Sequence, residues 1–200
     1  MSVFHLIRHA EHGLLGRELV GRKPGVRLSE AGRYQAEQLA DRLQAFAIEA
    51  VLSSPRERAL ETAEPIAARH RRSVSIVPAL DEVDFGQWTG RRFDELNDDA
   101  RWRSFNRHRA DISIPGGELL VEVQARVIRL VEILRQQQPE GGFVLVTHGD
   151  VIRAALLHSL GMPLDFIHRL EIGPASRSSL RVEGGEWRVL VLNEQVAARD

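Results

Sequence analysis

Short apolar runs alternate with helix-length amphipathic segments along most of this chain. Four runs rich in β-branched or aromatic residues lie at 3–7, 50–52, 74–77 and 143–146. Their length and composition predict buried strands. Segments with apolar residues at helical spacing lie at 29–45, 54–69, 118–138 and 149–160. This alternation predicts an α/β fold with three α/β/α layers around a mainly parallel sheet.

Local signals mark the ends of several elements. Ser29 can cap the first helix, and the segment 54–57 (SPRE) matches a capping box with proline at the first helical position. Apolar runs at 178–182 and 187–191 flank EGGE, which predicts a hairpin that adds antiparallel edge strands. Residues 78–117 are charged and poor in apolar side chains, so we predict a lid or insert within a single domain over 1–200.

Composition excludes several classes of protein. The chain has 200 residues and no cysteine, which excludes a disulfide framework, a cysteine nucleophile, thiolate zinc sites and iron–sulfur clusters. Its 27 lysine and arginine residues balance 28 aspartate and glutamate residues, so nucleic acid is not an expected partner. No apolar run approaches the roughly 18 residues of a membrane span, and the N-terminus lacks the features of a secretory signal. We therefore expect a cytoplasmic protein without a membrane partner.

Basic side chains follow three of the predicted strands where those strands end. Arg8 and His9 follow the first strand, Arg56 and Arg58 follow the second, and His148 follows the fourth. Because ligands of open parallel sheets bind beyond the carboxyl ends of the strands, we expect these side chains to meet at one edge. Guanidinium groups bind phosphate oxygens bidentately, and N–H groups at helix starts add partial positive charge. The sequence therefore predicts a cage for a phosphoryl group.

A histidine inside such a cage can also act as a nucleophile. Neutral imidazole is nucleophilic near pH 7 and forms covalent intermediates. The chain has no Walker A motif, no Rossmann glycine fingerprint and no HExxH pair, and its eight histidines do not show metal-ligand spacing. We therefore expect neither a nucleotide-binding loop nor a metal nor another cofactor.

Six blocks of sequence occur in a characteristic order. They are LIRHAE (6–11), GVRLSEAGRYQA (25–36), SSPRERALETA (53–63), LDEVDFGQWTG (80–90), PGGE (115–118) and VTHGDVIRAAL (146–156). Together they resemble the histidine phosphatase superfamily, the phosphoglycerate-mutase-like proteins, and FGQWTGR (85–91) is more similar to its small phosphatases. The resemblance covers about residues 1–160 and implies a phosphoglycerate-mutase-like fold.

The resemblance implies a role for each of five residues. His9 matches the phosphorylated nucleophile, and Arg8 and Arg58 match the two phosphate-clamping arginines. His148 matches the second histidine of the site, and Glu82 matches the proton donor. A carboxyl beside a bound phosphate in a partly closed cleft is expected to have a raised pKa, which suits a proton donor.

Four further residues bear on the predicted site. Gly149 and Arg22 complete the predicted substrate-binding set. Arg56 departs from the family pattern, which usually has an apolar residue there, and it is the alternative to Arg58 as a clamp. His12 stands where many members carry threonine, at the mouth of the predicted pocket.

Each predicted site residue also has a structural interpretation. A lone histidine is more often a hydrogen-bonded core residue, Arg58 could pair with Glu57 or Glu61, and Glu82 could be a surface carboxylate. The ordered blocks favour the catalytic interpretation. PGGE is interpreted first as a turn and helix start.

Six arginines lie between 91 and 109. They could form a lid that attracts a second acidic group of the substrate. Acidic residues interleaved among them instead favour a solvated charged face. Trp102 and Phe105 are predicted to anchor this segment to the body of the protein.

These features predict a phosphomonoesterase that hydrolyses a small phosphorylated metabolite through a phosphohistidine, without a metal. The first alternative is a 2,3-bisphosphoglycerate-dependent phosphoglycerate mutase. The resemblance disfavours it, because superfamily mutases are longer and carry Trp and Asn soon after the first block, which 11–20 lack. The second alternative is a phosphate-binding regulator, which needs neither a nucleophile nor a proton donor. The sequence specifies neither the substrate ester nor the oligomeric state.

Overall fold

The computed structural model describes residues 1–195 and contains, within them, one six-stranded sheet. The strands are β1 (Ser2–Arg8), β2 (Ala50–Ser53), β3 (Val74–Ile76), β4 (Gly142–Thr147), β5 (Arg177–Glu183) and β6 (Glu186–Glu194). Their order is β3-β2-β4-β1-β5-β6. The first four strands are parallel to one another, β5 is antiparallel to β1, and β6 is antiparallel to β5. The predicted mainly parallel sheet with antiparallel strands at one edge is confirmed.

Helices cover both faces of the sheet. They are α1 (Glu30–Leu43), α2 (Glu57–Arg69), α3 (Phe93–Asn97), α4 (Ala100–Arg107), α5 (Leu120–Gln137) and α6 (Gly149–Ser159). Because successive strand residues point to opposite faces, Ile7, Val144 and Val146 pack with α1 and α2. Leu6 and Leu145 pack with α5 and α6 on the other side. The predicted three layers are confirmed.

Two local predictions were wrong. Ser54 does not cap α2, which begins at Glu57 after the N-cap residue Arg56. The Ser54 N–H instead donates to Val146 and extends the pairing of β2 with β4, so the chain is still extended there. The 74–77 run is not a buried strand, because β3 lies at the sheet edge and the side chain of Ile76 is 58% exposed.

The C-terminal hairpin follows its sequence signal. Gly184 and Gly185 join β5 to β6 with φ values of 57° and 88°. Two successive positive φ values suit the tight turns that match the twist of paired strands, and glycine adopts them without steric cost.

The 78–117 segment contains α3, α4 and two turns of 3₁₀ helix, Pro78–Leu80 and Gly86–Trp88. Most of its large apolar side chains are buried, and Trp102 and Phe105 are 6% and 0% exposed within the same cluster as the sheet residue Phe4. The two aromatic side chains therefore anchor the segment as predicted. Within 1–195, no helix is long and apolar enough to cross a membrane.

Gly32 fixes the packing of α1 against the loop that follows β1. The Glu11 carbonyl accepts the Ser29 N–H at 3.0 Å at the start of α1, and a Cβ on Gly32 would overlap that carbonyl. Alanine normally stabilises a helix interior relative to glycine by about 1 kcal/mol. Here we expect Gly32→Ala to lower the free energy of unfolding by at least about 2 kcal/mol, measured by urea denaturation. Gly13→Ala, which meets open space, is the matched control, and equal effects of the two would contradict this packing.

Candidate active site

The backbone of the parallel strands brings the predicted site residues to one edge of the sheet. Arg8 is the last residue of β1, and the next N–H, that of His9, donates to the Thr147 carbonyl at 2.9 Å. His148 follows β4 directly and is the N-cap residue of α6. The carboxyl ends of β1 and β4 therefore place two imidazoles side by side, with ring centroids 5.2 Å apart.

The tautomer and the charge state of His9 suit a nucleophile. Its Nδ1 lies 2.8 Å from the carbonyl oxygen of Ala10, which can only accept, so Nδ1 carries the proton and Nε2 keeps its lone pair. Burial, and then the nearby guanidinium groups of Arg58 and Arg8, lower the pKa of His9 well below 6.5. The ring is therefore neutral near pH 7, as nucleophilic attack requires.

His148 has the opposite tautomer. Arg58 Nη2 donates to Nδ1 of His148 at 3.1 Å, so Nε2 carries the proton and donates to Oγ of Ser54 at 2.8 Å. The Ser54 hydroxyl in turn donates to a carboxylate oxygen of Asp81 at 3.3 Å. Burial, followed by the Arg58 charge, lowers the pKa of His148 well below 6.5. This chain of hydrogen bonds fixes the orientation of the second imidazole.

The two predicted clamping arginines keep donors without protein partners. Arg58 is fully buried and donates Nη2 to the Gly21 carbonyl at 2.8 Å, but its Nε and Nη1 have no partner within residues 1–195. Arg8 donates Nη1 to the Ile172 carbonyl at 2.6 Å, and its buried Nε is likewise unpartnered. Enclosed guanidinium donors normally bind an acceptor, and an anion is the acceptor that also balances their charge.

Glu82 is the titratable carboxyl of this site. Its Oε1 accepts the Val83 N–H at 2.9 Å, and its Oε2 lies 3.5 Å from Nδ1 of His148. Burial, and then the negative charge of Asp150, raise the pKa of Glu82 to about 7. A carboxyl that titrates near neutral pH can both give and take a proton during one reaction.

An open cavity of ≈ 370 Å³ gives access to part of this cluster. Arg8, His9, His12 and Glu82 line it, together with residues of the 15–21 loop. Arg58 and His148 do not line it and lie fully enclosed behind those residues. The cavity therefore reaches His9 and Glu82 directly.

His12 belongs to the cavity wall. Its ring centroid lies 5.3 Å from that of His9, and Nδ1 accepts the Leu14 N–H at 3.3 Å. Burial, together with the charges of Arg58 and Arg8, lowers its pKa to about 4. A neutral imidazole thus occupies the position where the family often has threonine.

Gly149 lies beside Arg8, whereas the side chains of Arg22 and Arg56 contact other protein groups. A Cβ on Gly149 would lie 3.6 Å from Nε of Arg8, so the first residue of α6 lies against the clamp. Arg22 donates to the Glu82 carbonyl at 2.8 Å and to Glu118 at 2.8 Å, and it lines neither cavity next to the site. Carboxylates of Asp81 and Asp84 lie 3.6 and 3.5 Å from the same guanidinium, so its role in substrate binding stays a prediction that this geometry does not favour.

Arg56 holds the loop before α2 and not the cage. Its Nη1 donates to the Arg22 carbonyl at 2.8 Å, and its Nε pairs with Asp81 at 3.0 Å. Arg58, by contrast, donates to His148 and lowers the pKa of His9, so the geometry favours Arg58 over Arg56 as the clamp.

Five of the six arginines between 91 and 109 are on the surface or half-buried, and several pair locally, as Arg91 does with Asp99 and Arg92 with Asp94. This agrees with the favoured interpretation of a charged, solvated face. Arg109 is the exception, because it is 3% exposed and its Nη1 donates to Asp150 at 2.9 Å. It lines a second cavity of ≈ 280 Å³ that shares Arg8 and Glu82 with the first.

Sequence reasoning missed the residues that hold the site in place. Ser54 and Asp81 orient His148, and Asp150 lies beside Glu82 in the second cavity. Asp81 precedes Glu82 and Asp150 follows Gly149, so adjacency within the ordered blocks was the available signal. Among the described residues, no group of three His, Asp or Glu side chains is arranged to hold a metal ion.

Similar proteins include both phosphatases and a mutase. Phosphoserine phosphatase 1 of Hydrogenobacter thermophilus is 31% identical, over 94% of this chain and 90% of that protein. Probable phosphoglycerate mutase GpmB of Proteus mirabilis is 30% identical, over 94% of this chain and 88% of that protein. A solved structure of mycobacterial glucosyl-3-phosphoglycerate phosphatase is 29% identical with a TM-score of 0.87, over 96% of this chain and 99% of that one.

The family follows from a match along almost the whole chain. The sequence profile of the histidine phosphatase superfamily, branch 1, matches residues 4–195. The phosphatases among the relatives support the expectation of a phosphoric monoester hydrolase, and the predicted phosphoglycerate-mutase-like fold is confirmed. The chain therefore belongs to the histidine phosphatase superfamily, branch 1.

Proposed function

We propose that this protein hydrolyses a small phosphate monoester through a phosphohistidine on His9. His9 Nε2 attacks phosphorus and forms the N–P bond while the bond between phosphorus and the ester oxygen breaks. Glu82 gives its proton to the departing oxygen. Water then attacks the phosphohistidine, Glu82 takes a proton from that water, and the N–P bond breaks to release phosphate. Arg8 and Arg58 bind the phosphoryl oxygens, where charge gathers in the transition state, and His148 positions Arg58 by accepting from its Nη2.

One observation carries this proposal. His9, whose Nε2 keeps its lone pair, lies near enough to Arg8 and Arg58 for their charges to lower its pKa, and three buried guanidinium nitrogens of these two arginines have no partner within residues 1–195. A simple anion-binding site has no use for a buried neutral nucleophile beside a carboxyl with a pKa of about 7. The combination therefore favours turnover over the regulator that only binds phosphate.

The cavities support a small-molecule substrate. The two cavities beside Glu82 measure ≈ 370 Å³ and ≈ 280 Å³, close to the lower end of the size range of small-molecule pockets, which is about 300 Å³. A cytoplasmic location remains a prediction from the composition of the chain.

Product analysis separates the phosphatase from the mutase, which the relatives include. We expect purified protein given 3-phosphoglycerate and catalytic 2,3-bisphosphoglycerate to release inorganic phosphate faster than it forms 2-phosphoglycerate, measured by phosphorus NMR. The physical reason is that hydrolysis needs only a water molecule at the phosphohistidine. The mutase reaction also needs the site to retain the alcohol that accepts the phosphoryl group. Isomerisation that outpaces phosphate release would overturn the phosphatase assignment.

A further inference from the structure

The second cavity beside Glu82 differs in charge from the first. Arg109, Arg153 and Asp150 line it, whereas Glu18 lines the first cavity, which has no arginine other than Arg8. We propose that the second cavity is the leaving-group subsite, and that it selects esters whose alcohol carries a carboxylate, which Arg153 binds. The inference rests on the proposed phosphatase function and adds the substrate class to it.

Arg8 and Glu82 also line this cavity and belong to the site at the phosphoryl group; the other three charged residues, Arg109, Arg153 and Asp150, leave one cation uncompensated. Asp150 accepts from Arg109 at 2.9 Å and from Arg153 at 2.9 Å, and both arginines hold its pKa at about 2 against the effect of burial. One fixed carboxylate therefore faces two guanidinium groups. A carboxylate on the substrate would balance the remaining charge, which is costly to leave unpaired in a half-closed cavity.

Arg153 is the arginine that remains able to bind a ligand. Arg109 is 3% exposed, and its Nη atoms contact Asp150, Asn106 and His168, so only its enclosed Nε is without a partner within residues 1–195. Arg153 donates Nε to the Leu170 carbonyl at 2.8 Å and Nη1 to Asp150, whereas Nη2 has no protein acceptor within residues 1–195 and is not enclosed. These two fixed contacts orient the guanidinium and leave one N–H edge available.

The position of Arg153 sets the distance between the two anionic groups of the substrate. A Cβ on Gly149 would lie 3.4 Å from Nη1 of Arg153 and 3.6 Å from Nε of Arg8. The phosphate clamp and the available guanidinium thus flank the same glycine. This favours a short alcohol whose carboxylate is only a few bonds from the ester oxygen.

The remaining walls suit the carbon skeleton of such an alcohol. Leu19, Phe85, Phe93 and Trp102 line the cavity and offer mainly apolar surface. Glu82 lines both cavities, so an ester oxygen between them lies within reach of the proton donor. The subsite therefore begins where the scissile bond is expected.

Matched esters test the subsite directly. We would measure kcat/KM for phosphoglycolate against ethyl phosphate, and for 3-carboxyphenyl phosphate against phenyl phosphate. Within each pair the main difference is the carboxylate. We expect the wild-type protein to prefer the carboxylate ester about tenfold or more in each pair, as a charge-assisted hydrogen bond provides. Ratios near one in both pairs would overturn the proposal while leaving the phosphatase function intact.

Variants assign the preference to Arg153. We expect Arg153→Gln to bring both ratios close to one, and Arg153→Lys to keep part of the preference. Arg107→Gln is the matched control, because Arg107 is exposed and does not line the cavity. A wild-type ratio preserved in Arg153→Gln would also refute the assignment. If no ester is hydrolysed, the phosphatase function fails, and calorimetric affinities for the same pairs then decide the subsite on their own.

Discussion

Replacing His9 by alanine is expected to abolish turnover, with kcat for phenyl phosphate falling by at least about 10³-fold. The substitution removes the only imidazole that combines an Nδ1 proton held by the Ala10 carbonyl with a free Nε2 near the cage, among the described residues. His148 cannot replace it, because Nδ1 of His148 accepts from Arg58 and its Nε2 proton is donated to Ser54. Initial rates of phosphate release provide the measurement.

Trapping the phosphorylated protein shows whether the loss of activity in His9→Ala comes from the loss of the phosphorylated residue. Wild-type protein quenched during turnover of a ³²P-labelled ester should carry acid-labile, alkali-stable label, and His9→Ala should carry none. His108→Ala is the matched control, because His108 is exposed and lines neither cavity. Thermal unfolding of each variant separates loss of the nucleophile from loss of the fold. Label found on His148 in the wild-type protein would contradict the assignment.

The layered fold was predictable because its signals are local. Each parallel strand is a short apolar run bounded by polar residues, and the alternation with helical segments leaves few alternatives. The Gly184–Gly185 turn is also local, since φ is positive at both positions. The exposure of β3 was not predictable from its own residues. A strand is buried on both faces only if other elements cover both faces, and β3 is an edge strand of the sheet.

The site was predictable for a related reason. His9 and His148 each follow a strand directly, and the parallel pairing of β1 with β4 fixes their proximity. The family pattern, which usually has an apolar residue at position 56, then favoured Arg58 over Arg56, and the contact of Arg56 with Asp81 agrees. Residues that directly follow neighbouring parallel strands can therefore be placed close together from the sequence alone.

Polar contacts between distant segments were beyond the sequence. Ser54 has the spacing of a helix cap, but its hydroxyl accepts from His148, which lies 94 residues further along the chain. Arg22 and Glu118, 96 residues apart, meet in an ion pair that occupies Nη2 of the arginine. These pairings depend on which of several polar or charged partners is nearer in the folded protein, and no local sequence pattern indicates that distance.

The alkaline limb of the pH profile should belong to Glu82. Its pKa of about 7 arises first from burial and then from Asp150, while Arg58 and Arg8 oppose the shift. The acid form is present below that pKa and is lost as the pH rises through it, so kcat/KM for an alkyl phosphate should fall above about pH 7. The pKa of His9 is lowered well below 6.5, so the acid limb lies lower still.

Removing the proton donor tests this assignment. Glu82→Gln should lower kcat/KM for ethyl phosphate by about 10²- to 10⁴-fold below pH 7, because an alkoxide is expelled poorly without a proton. The loss should be far smaller for 4-nitrophenyl phosphate, whose phenolate leaves unprotonated. The ratio of wild-type to variant rates should decline as the pH rises through about 7, and titration of the substrate cancels in that ratio.

The control substitution is Glu95→Gln, because Glu95 is an exposed carboxylate in the same 78–117 segment and lines neither cavity. Its pH profile should match that of the wild-type protein. If the alkaline limb survives unchanged in Glu82→Gln, another group donates the proton. Asp150 is unsuited to that role, since Arg109 and Arg153 hold its pKa at about 2 and keep it ionised throughout the working range. A buried carboxyl becomes an acid near neutral pH only where no guanidinium pairs with it directly, and this condition separates Glu82 from its neighbour.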